Sequence, residues 1–150
     1  MSHQLRPATE ADLNSIMELE KASFGNDSWS RPVMKAELLA THTYYLVAYE
    51  DEKILGYAGL SKLASASSAD IQTIAVIDLY RKKGIGRDLM ERLISQARTL
   101  GATLLFLEVR EDKTAPQALY KSLGFESIDR RENYYQPDGI AAIVMRLELQ

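Results

Sequence analysis

The sequence predicts an α/β (α+β) chain in which a mixed, mostly antiparallel sheet carries helices on both faces, and three observations lead there. Residues 71–109 read as strand, glycine turn, amphipathic helix and second strand, the pattern of a right-handed crossover between parallel strands. The other strand-like segments cluster before and after that unit, which excludes a doubly wound dinucleotide fold. Residues 103–109 are apolar on both alternating faces, the mark of a central strand covered on both sides.

The elements follow in order. Residues 4–6 form a short first strand. Thr9 caps a helix, with Asp12 three residues on as a variant of the capping box, and Leu13, Ile16 and Met17 supply its buried stripe. Ser30 caps a second helix, whose first turn tolerates Pro32 and whose Met34 and Leu38 face inward. Residues 44–49 and 54–63 make a hairpin across Glu50, Asp51, Glu52 and Lys53, and the small residues 64–69 form a loop. Strand 71–77 runs into the glycine turn. The helix over 84–100 presents Ile85, Leu89, Leu93, Ile94, Ala97 and Leu100 on one face, and Gly101 stops it. After strand 103–109, a short helix over 115–123 ends at Gly124. Two last strands, 125–135 and 140–149, flank a Pro137-Asp138-Gly139 turn. That makes about seven strands and about four helices, expected as a single domain over residues 1–150.

Composition narrows the chemistry. The chain is 46% apolar and 26% charged, as in an ordinary globular protein, and its net charge of −3 argues against a general grip on nucleic acid or anionic membrane. There is no cysteine, so disulfides, thiolate metal sites and a cysteine nucleophile are excluded. His3 and His42 are the sole imidazoles, one near a terminus and one in a turn, which leaves a zinc site or a histidine triad without material. No apolar run approaches the ~20 residues of a membrane span, and the N-terminus lacks the apolar core of a signal peptide, so the expected compartment is the cytoplasm.

Chemistry concentrates in three places. The first is Arg81-x-x-Gly84-x-Gly86 between an apolar strand and a helix. Glycines let the backbone turn tightly, and the N–H groups of the turn and first helical residues converge where the helix dipole is positive, a site for phosphate or pyrophosphate. The second is Glu108, which shares a strand face with Leu104, Phe106 and Arg110. A buried carboxylate there would have a raised pKa and serve as a base; the plainer alternatives are pairing with Arg110 or a neighbouring arginine, or a strand that simply emerges into water there. The third is Tyr120, one helical turn from Leu123. It serves either as a core ring or as a phenol whose proton reaches a leaving group.

Together, Arg81-x-x-Gly84-x-Gly86, Leu107-Glu108-Val109-Arg110 and Ala118-Leu119-Tyr120-x-x-Leu123-Gly124-Phe125 resemble the GCN5-related N-acetyltransferases. The run Arg130-Arg131-Glu132-Asn133-Tyr134-Tyr135 and the stretch from Phe24 to Trp29-Ser30 resemble, more narrowly, the RimI-type members. Those enzymes acetylate the N-terminal alanine of a small-subunit ribosomal protein. The resemblance spans essentially the whole chain.

The resemblance implies a splayed parallel strand pair ending near Val76 and Val109, with acetyl-CoA lying in the splay. Its pyrophosphate would meet the backbone of Lys82, Lys83, Gly84, Ile85, Gly86 and Arg87. The backbone of Ile74, Ala75 and Val76 would run beside the pantetheine and acetyl, with an N–H near Val76 facing the oxyanion. Glu108 matches the general base and Tyr120 the general acid; Tyr134 and Tyr135 wall the peptide side, with Trp29 opposite. No metal is implied. The partner implied is a protein N-terminus, that of a ribosomal protein, with no nucleic acid or membrane, and the chain is expected as a monomer or weak homodimer.

Two departures matter. Lys113 stands where the family usually has an asparagine on the cofactor, and it can reach a CoA phosphate or face solvent. Pro116 is expected to interrupt the start of the same helix. Two other functions stay open: the same chemistry on another amine (a lysine side chain, polyamine, amino acid or antibiotic), and a non-catalytic acyl-CoA-binding regulatory module. The second would need the glycine turn but neither Glu108 nor Tyr120.

Overall fold

The computed structural model describes residues 3–77 and 84–149. In chain order these form β1 (Gln4–Pro7), α1 (Leu13–Phe24), α2 (Arg31–Leu39), β2 (Thr43–Glu50), β3 (Lys53–Ser61) and β4 (Ser68–Val76). Then come α3 (Ile85–Thr99), β5 (Leu104–Arg110), α4 (Thr114–Ser122), β6 (Glu126–Tyr135) and β7 (Ile140–Glu148). The seven strands make one sheet in the order β1-β2-β3-β4-β5-β7-β6. Every neighbouring pair is antiparallel except β4 and β5, which the α3 crossover makes parallel. The expected mixed sheet is therefore present, with small shifts at its ends. The hairpin turns through Asp51 and Glu52 alone, Asp51 taking φ 55, a left-handed conformation that aspartate tolerates. β3 stops at Ser61, and β4 starts at Ser68, inside the stretch expected as loop.

Helices cover both faces and bury two separate cores. On one side, Ile85, Leu89, Met90 and Leu93 of α3 and Tyr120 of α4 pack on Leu46, Leu60, Leu105, Leu107 and Met145. On the other, Leu13, Ile16 and Met17 of α1 and Met34 of α2 pack on Tyr45, Val47, Tyr57 and Ala75. The α3 stripe differs from expectation at two positions. Leu100 is 45% exposed because the helix ends at Thr99 and leaves it out of phase, whereas Met90 is fully buried. Pro116 does not interrupt α4: the helix starts at Thr114, and its first turn needs no N–H from that residue.

β5 departs from expectation in a way that matters for function. Leu105, Leu107 and Val109 are buried under α3 and α4, but on the opposite face Leu104 and Phe106 are half-buried and Glu108 is exposed. The helices on that side contact β2, β3 and β4. On that face β5 is only partly covered, so the strand is central in the sheet yet open at its carboxyl-terminal end.

The entry into α1 shows how one acidic residue closes a turn. Asp12 accepts from both Nη1 and Nη2 of Arg6, each at 2.9 Å, and from the Thr9 N–H at 2.8 Å. These bonds, the Arg6 side chain first, hold its carboxyl below the usual carboxylate range. Asp12→Ala should lower the unfolding free energy by about 2 kcal/mol, less than a fully enclosed pair because Arg6 is 38% exposed. Since the folded pKa is depressed, the wild-type advantage is complete above the unfolded value of about 3.9 and fades as pH falls below it. Denaturant titration of both proteins at neutral and acidic pH checks both statements, and equal midpoints at neutral pH would refute them.

Candidate active site

The donor side is set by where two strands part. The β4–β5 ladder consists of Ser68–Leu104, Ala69–Leu105 and Asp70–Phe106, and ends there, while β4 continues to Val76 and β5 to Arg110. A wedge opens between them. Along β4, the Ile77 N–H bonds the Leu55 carbonyl, so alternation turns the backbone of Ala75 toward Tyr57 of β3. By the same alternation the backbone of Ile74 and Val76 turns toward the wedge. Of the three expected there, Ala75 faces the wrong way for a backbone contact.

The start of α3 lies near the end of β4, where the side chains of Ile85 and Val76 both approach Gly56. Gly84 has φ 85, which only glycine adopts without strain, and α3 begins immediately after it. Gly86 lies in the first turn of α3 against α4, where an added Cβ would sit 3.4 Å from Leu119. The Ile85 side chain is buried in the core, and Arg87 donates to Ser122 Oγ at 2.5 Å. Both are therefore available to a ligand mainly through their backbone. Lys82 and Lys83 lie outside the described residues. Lys113 is exposed at the start of α4 and lines a cavity of about 200 Å³ together with Asp27, Arg110 and Asp138.

Glu108 sits on the open face of β5, with its side chain 33% exposed. It does not pair with Arg110. Arg131 Nη1 lies 3.0 Å from Oε2, and the Tyr134 hydroxyl donates to Oε1 at 2.9 Å. The plainer expectation, a neighbouring arginine, thus replaces the buried, unpaired base. Both partners come from β6, across β7, and two features allow that. Glu108 lies opposite Val144, and Ala142, small, separates Arg110 from Arg131. The β6–β7 register also shifts between Arg131 and Tyr135, with Asn133 at φ 53. Such an irregularity re-aims side chains, so Arg131 and Tyr134, three apart, reach the same carboxylate.

Tyr134 and Tyr135 stack edge to face with ring centroids 5.0 Å apart. The Glu108 hydrogen bond raises the Tyr134 pKa. Burial, then the charges of Glu108, Tyr134 and Asp27, pushes Tyr135 up to about 12. Tyr120 is buried, edge-on to Phe125 at 6.1 Å, and burial followed by the neighbouring Tyr135 raises its pKa well above the ordinary phenol value. It is thus a core ring, yet among the described residues no enclosed polar side-chain atom lacks a partner. Its hydroxyl, which bonds none of them, therefore meets accessible space. Tyr135 stands electrostatically between Tyr120 and Glu108.

The segment opposite is held by a residue that sequence patterns did not single out. Glu20, 2% exposed in α1, accepts the Trp29 backbone N–H at 2.8 Å through Oε2, and the hydroxyls of Tyr57 and Thr73 through Oε1. Trp29 itself is half-buried against the α1–α2 core. A glutamate on the apolar stripe of α1, at i+4 from Ile16, is the signal that could have found it.

Comparison with known proteins gives the family. Residues 13–125 match the Acetyltransferase (GNAT) family. N-alpha-acetyltransferase RimI of Mycobacterium tuberculosis is 37% identical over 141 residues, covering 92% of this chain and 87% of that protein. Ribosomal protein bS18-alanine N-acetyltransferase of Haemophilus ducreyi is 33% identical over 144 residues, covering 93% and 96%. The crystal structure of the ribosomal-protein-S18-alanine N-acetyltransferase from Escherichia coli superposes with a TM-score of 0.89 at 28% identity, covering 99% of this chain and 95% of that one. A parallel pair that opens into a wedge, a left-handed glycine at the foot of α3, and these relatives over nearly the full length establish that the chain belongs to the GNAT acetyltransferase family and is an acetyl-CoA-dependent N-acetyltransferase.

Proposed function

We propose that this enzyme transfers the acetyl group of acetyl-CoA to the N-terminal α-amino group of a protein, the N-terminal alanine of a small-subunit ribosomal protein. The observation that carries the reading is Glu108 on the open face of β5, bordered by Tyr134 and Tyr135. That arrangement offers a carboxylate to an amine that enters as the end of an extended chain; the Mycobacterium tuberculosis relative, named for Nα-acetyl transfer, and the Haemophilus ducreyi relative, named for a ribosomal-protein alanine, support it.

In this reading Glu108 accepts a proton from the α-ammonium, directly or through water. The amine's pKa near 8 leaves one proton to remove before attack. The thioester supplies the acetyl group and a thiolate as leaving group. Tyr120, whose phenol burial keeps protonated at neutral pH, donates to that thiolate as the new amide forms, and the attacking nitrogen sheds its second proton to solvent as the C–S bond breaks. The backbone of Ile74 and Val76 lines the thioester, and the backbone of Gly84 to Arg87 holds the pyrophosphate. Lys113, exposed beside Asp27 and Asp138, is assigned to solvent.

The test is acetyl transfer from acetyl-CoA to short peptides that begin with a free alanine, against N-blocked peptides containing lysine. Modification of the free N-terminus alone is expected. Transfer confined to lysine would replace the acceptor while keeping the donor chemistry, and transfer to neither would favour a different small amine.

A further inference from the structure

We propose that Arg110 is a positioning residue for the acceptor: it ties the three segments around the mouth into one frame and so sets where the peptide N-terminus meets Glu108. The inference rests on the proposed acceptor side.

Arg110 Nη1 donates to Asp27 at 2.7 Å, in the turn between α1 and α2. Its Nε and Nη2 donate to the two oxygens of Asp112 at 3.1 Å each, in the β5–α4 connection. Nη2 also donates to Asp138 at 2.8 Å, in the β6–β7 turn. The guanidinium carbon lies 5.3 Å from the centroid of the Tyr135 ring. Three carboxylates from three separate segments thus converge on one cation that is 16% exposed.

Position makes the tie functional. Arg110 follows Glu108 by two residues, so it shares the open face of β5 one pleat further on. Asp27 leads directly into the Trp29 segment, and Tyr135 borders Glu108, so the two sides proposed to grip the peptide meet at this guanidinium. Gln117 holds the backbone that carries Arg110, its amide donating to the carbonyls of Arg110 and Glu111 at 3.0 Å each. The cluster lies in neither apolar core. Without its cation, three carboxylates would face one another and the segments would part.

The chemistry requires arginine. A planar fork serves three carboxylates and an aromatic face at once, whereas a lysine ammonium is a single point of charge. Arg110→Ala and Arg110→Lys should each raise the acceptor KM by about tenfold or more, with kcat changed by less than about threefold. Acetyl-CoA affinity, measured by calorimetry, should stay unchanged. Asp27→Asn should raise KM in the same direction, because it removes one charge from the tie and keeps its shape.

An unchanged acceptor KM in Arg110→Ala, full rescue by lysine, or a matching loss of acetyl-CoA affinity would each overturn the proposal. If Arg110→Ala does not fold, the double variant Asp27→Asn with Asp138→Asn, which keeps the Asp112 pair, decides on the same criteria. A wild-type enzyme inactive on alanine peptides would instead refute the acceptor assignment, and Arg110 would then be judged on the amine the wild type does modify.

Discussion

Glu108→Gln is expected to lower turnover by about 10²–10⁴-fold while acetyl-CoA affinity stays within about twofold of wild type. The substitution is nearly isosteric. A glutamine carbonyl still accepts from Tyr134 and sits beside Arg131, so the local frame is kept and the ability to take up a proton is lost. The donor side should change little, because the substitution leaves the β5 backbone beside the wedge in place and the glycine turn lies at the start of α3. The variant's residual rate should climb as pH passes the amine's own pKa near 8, since alkali then supplies the free amine that Glu108 otherwise generates. Steady-state kinetics across pH with an N-terminal alanine peptide, together with calorimetric titration of acetyl-CoA, reads both parts. Wild-type turnover in the variant would remove the general-base role.

Gly86→Trp should abolish detectable acetyl-CoA binding, an affinity loss of about 10³-fold or more if each lost phosphate contact counts as a charge-assisted hydrogen bond. The backbone at this position lies in the first turn of α3, where N–H groups have no partner within the helix. An added Cβ would already sit 3.4 Å from Leu119 of α4, so the indole must displace that side chain or turn across those donors. Calorimetry gives the binding result, and a far-UV circular dichroism spectrum and thermal midpoint like those of the wild type would locate the effect in the ligand site. Retained affinity would move the pyrophosphate away from this turn.

Much of this was legible in the chain because it depends on local pattern. The parallel crossover followed from a glycine turn between an apolar strand and a helix with one apolar face, and capping residues located the short 3-10 turn that leads into α1 and the start of α2. Leu100 was misread because periodicity carries an apolar stripe onward without registering that the helix has ended. The environment of Glu108 was left open for a different reason. Apolar neighbours on its face suggested burial, against an arginine partner or a strand emerging into water, and the choice depends on what covers the sheet, which no segment of β5 encodes. The partners of Arg110 were further out of reach. Asp27 is 83 residues away in sequence, and the pairing exists only once the β6–β7 turn and the α1–α2 turn converge. Arg131 and Tyr134 reach Glu108 through a register shift, which strict alternation would have denied.

The three-rung ladder between β4 and β5 gives the molecule a seam. Four strands lie on one side of it and three on the other, with most of the seam's length left unzipped. Any ligand that hydrogen-bonds along the wedge acts as a missing rung, shared by both halves and unavailable to the unfolded chain. Occupancy and folding are then one linked equilibrium, with about 2.7 kcal/mol added at a ligand concentration a hundredfold above its dissociation constant. A chain of this size thereby carries in its own rigidity a record of how much donor surrounds it.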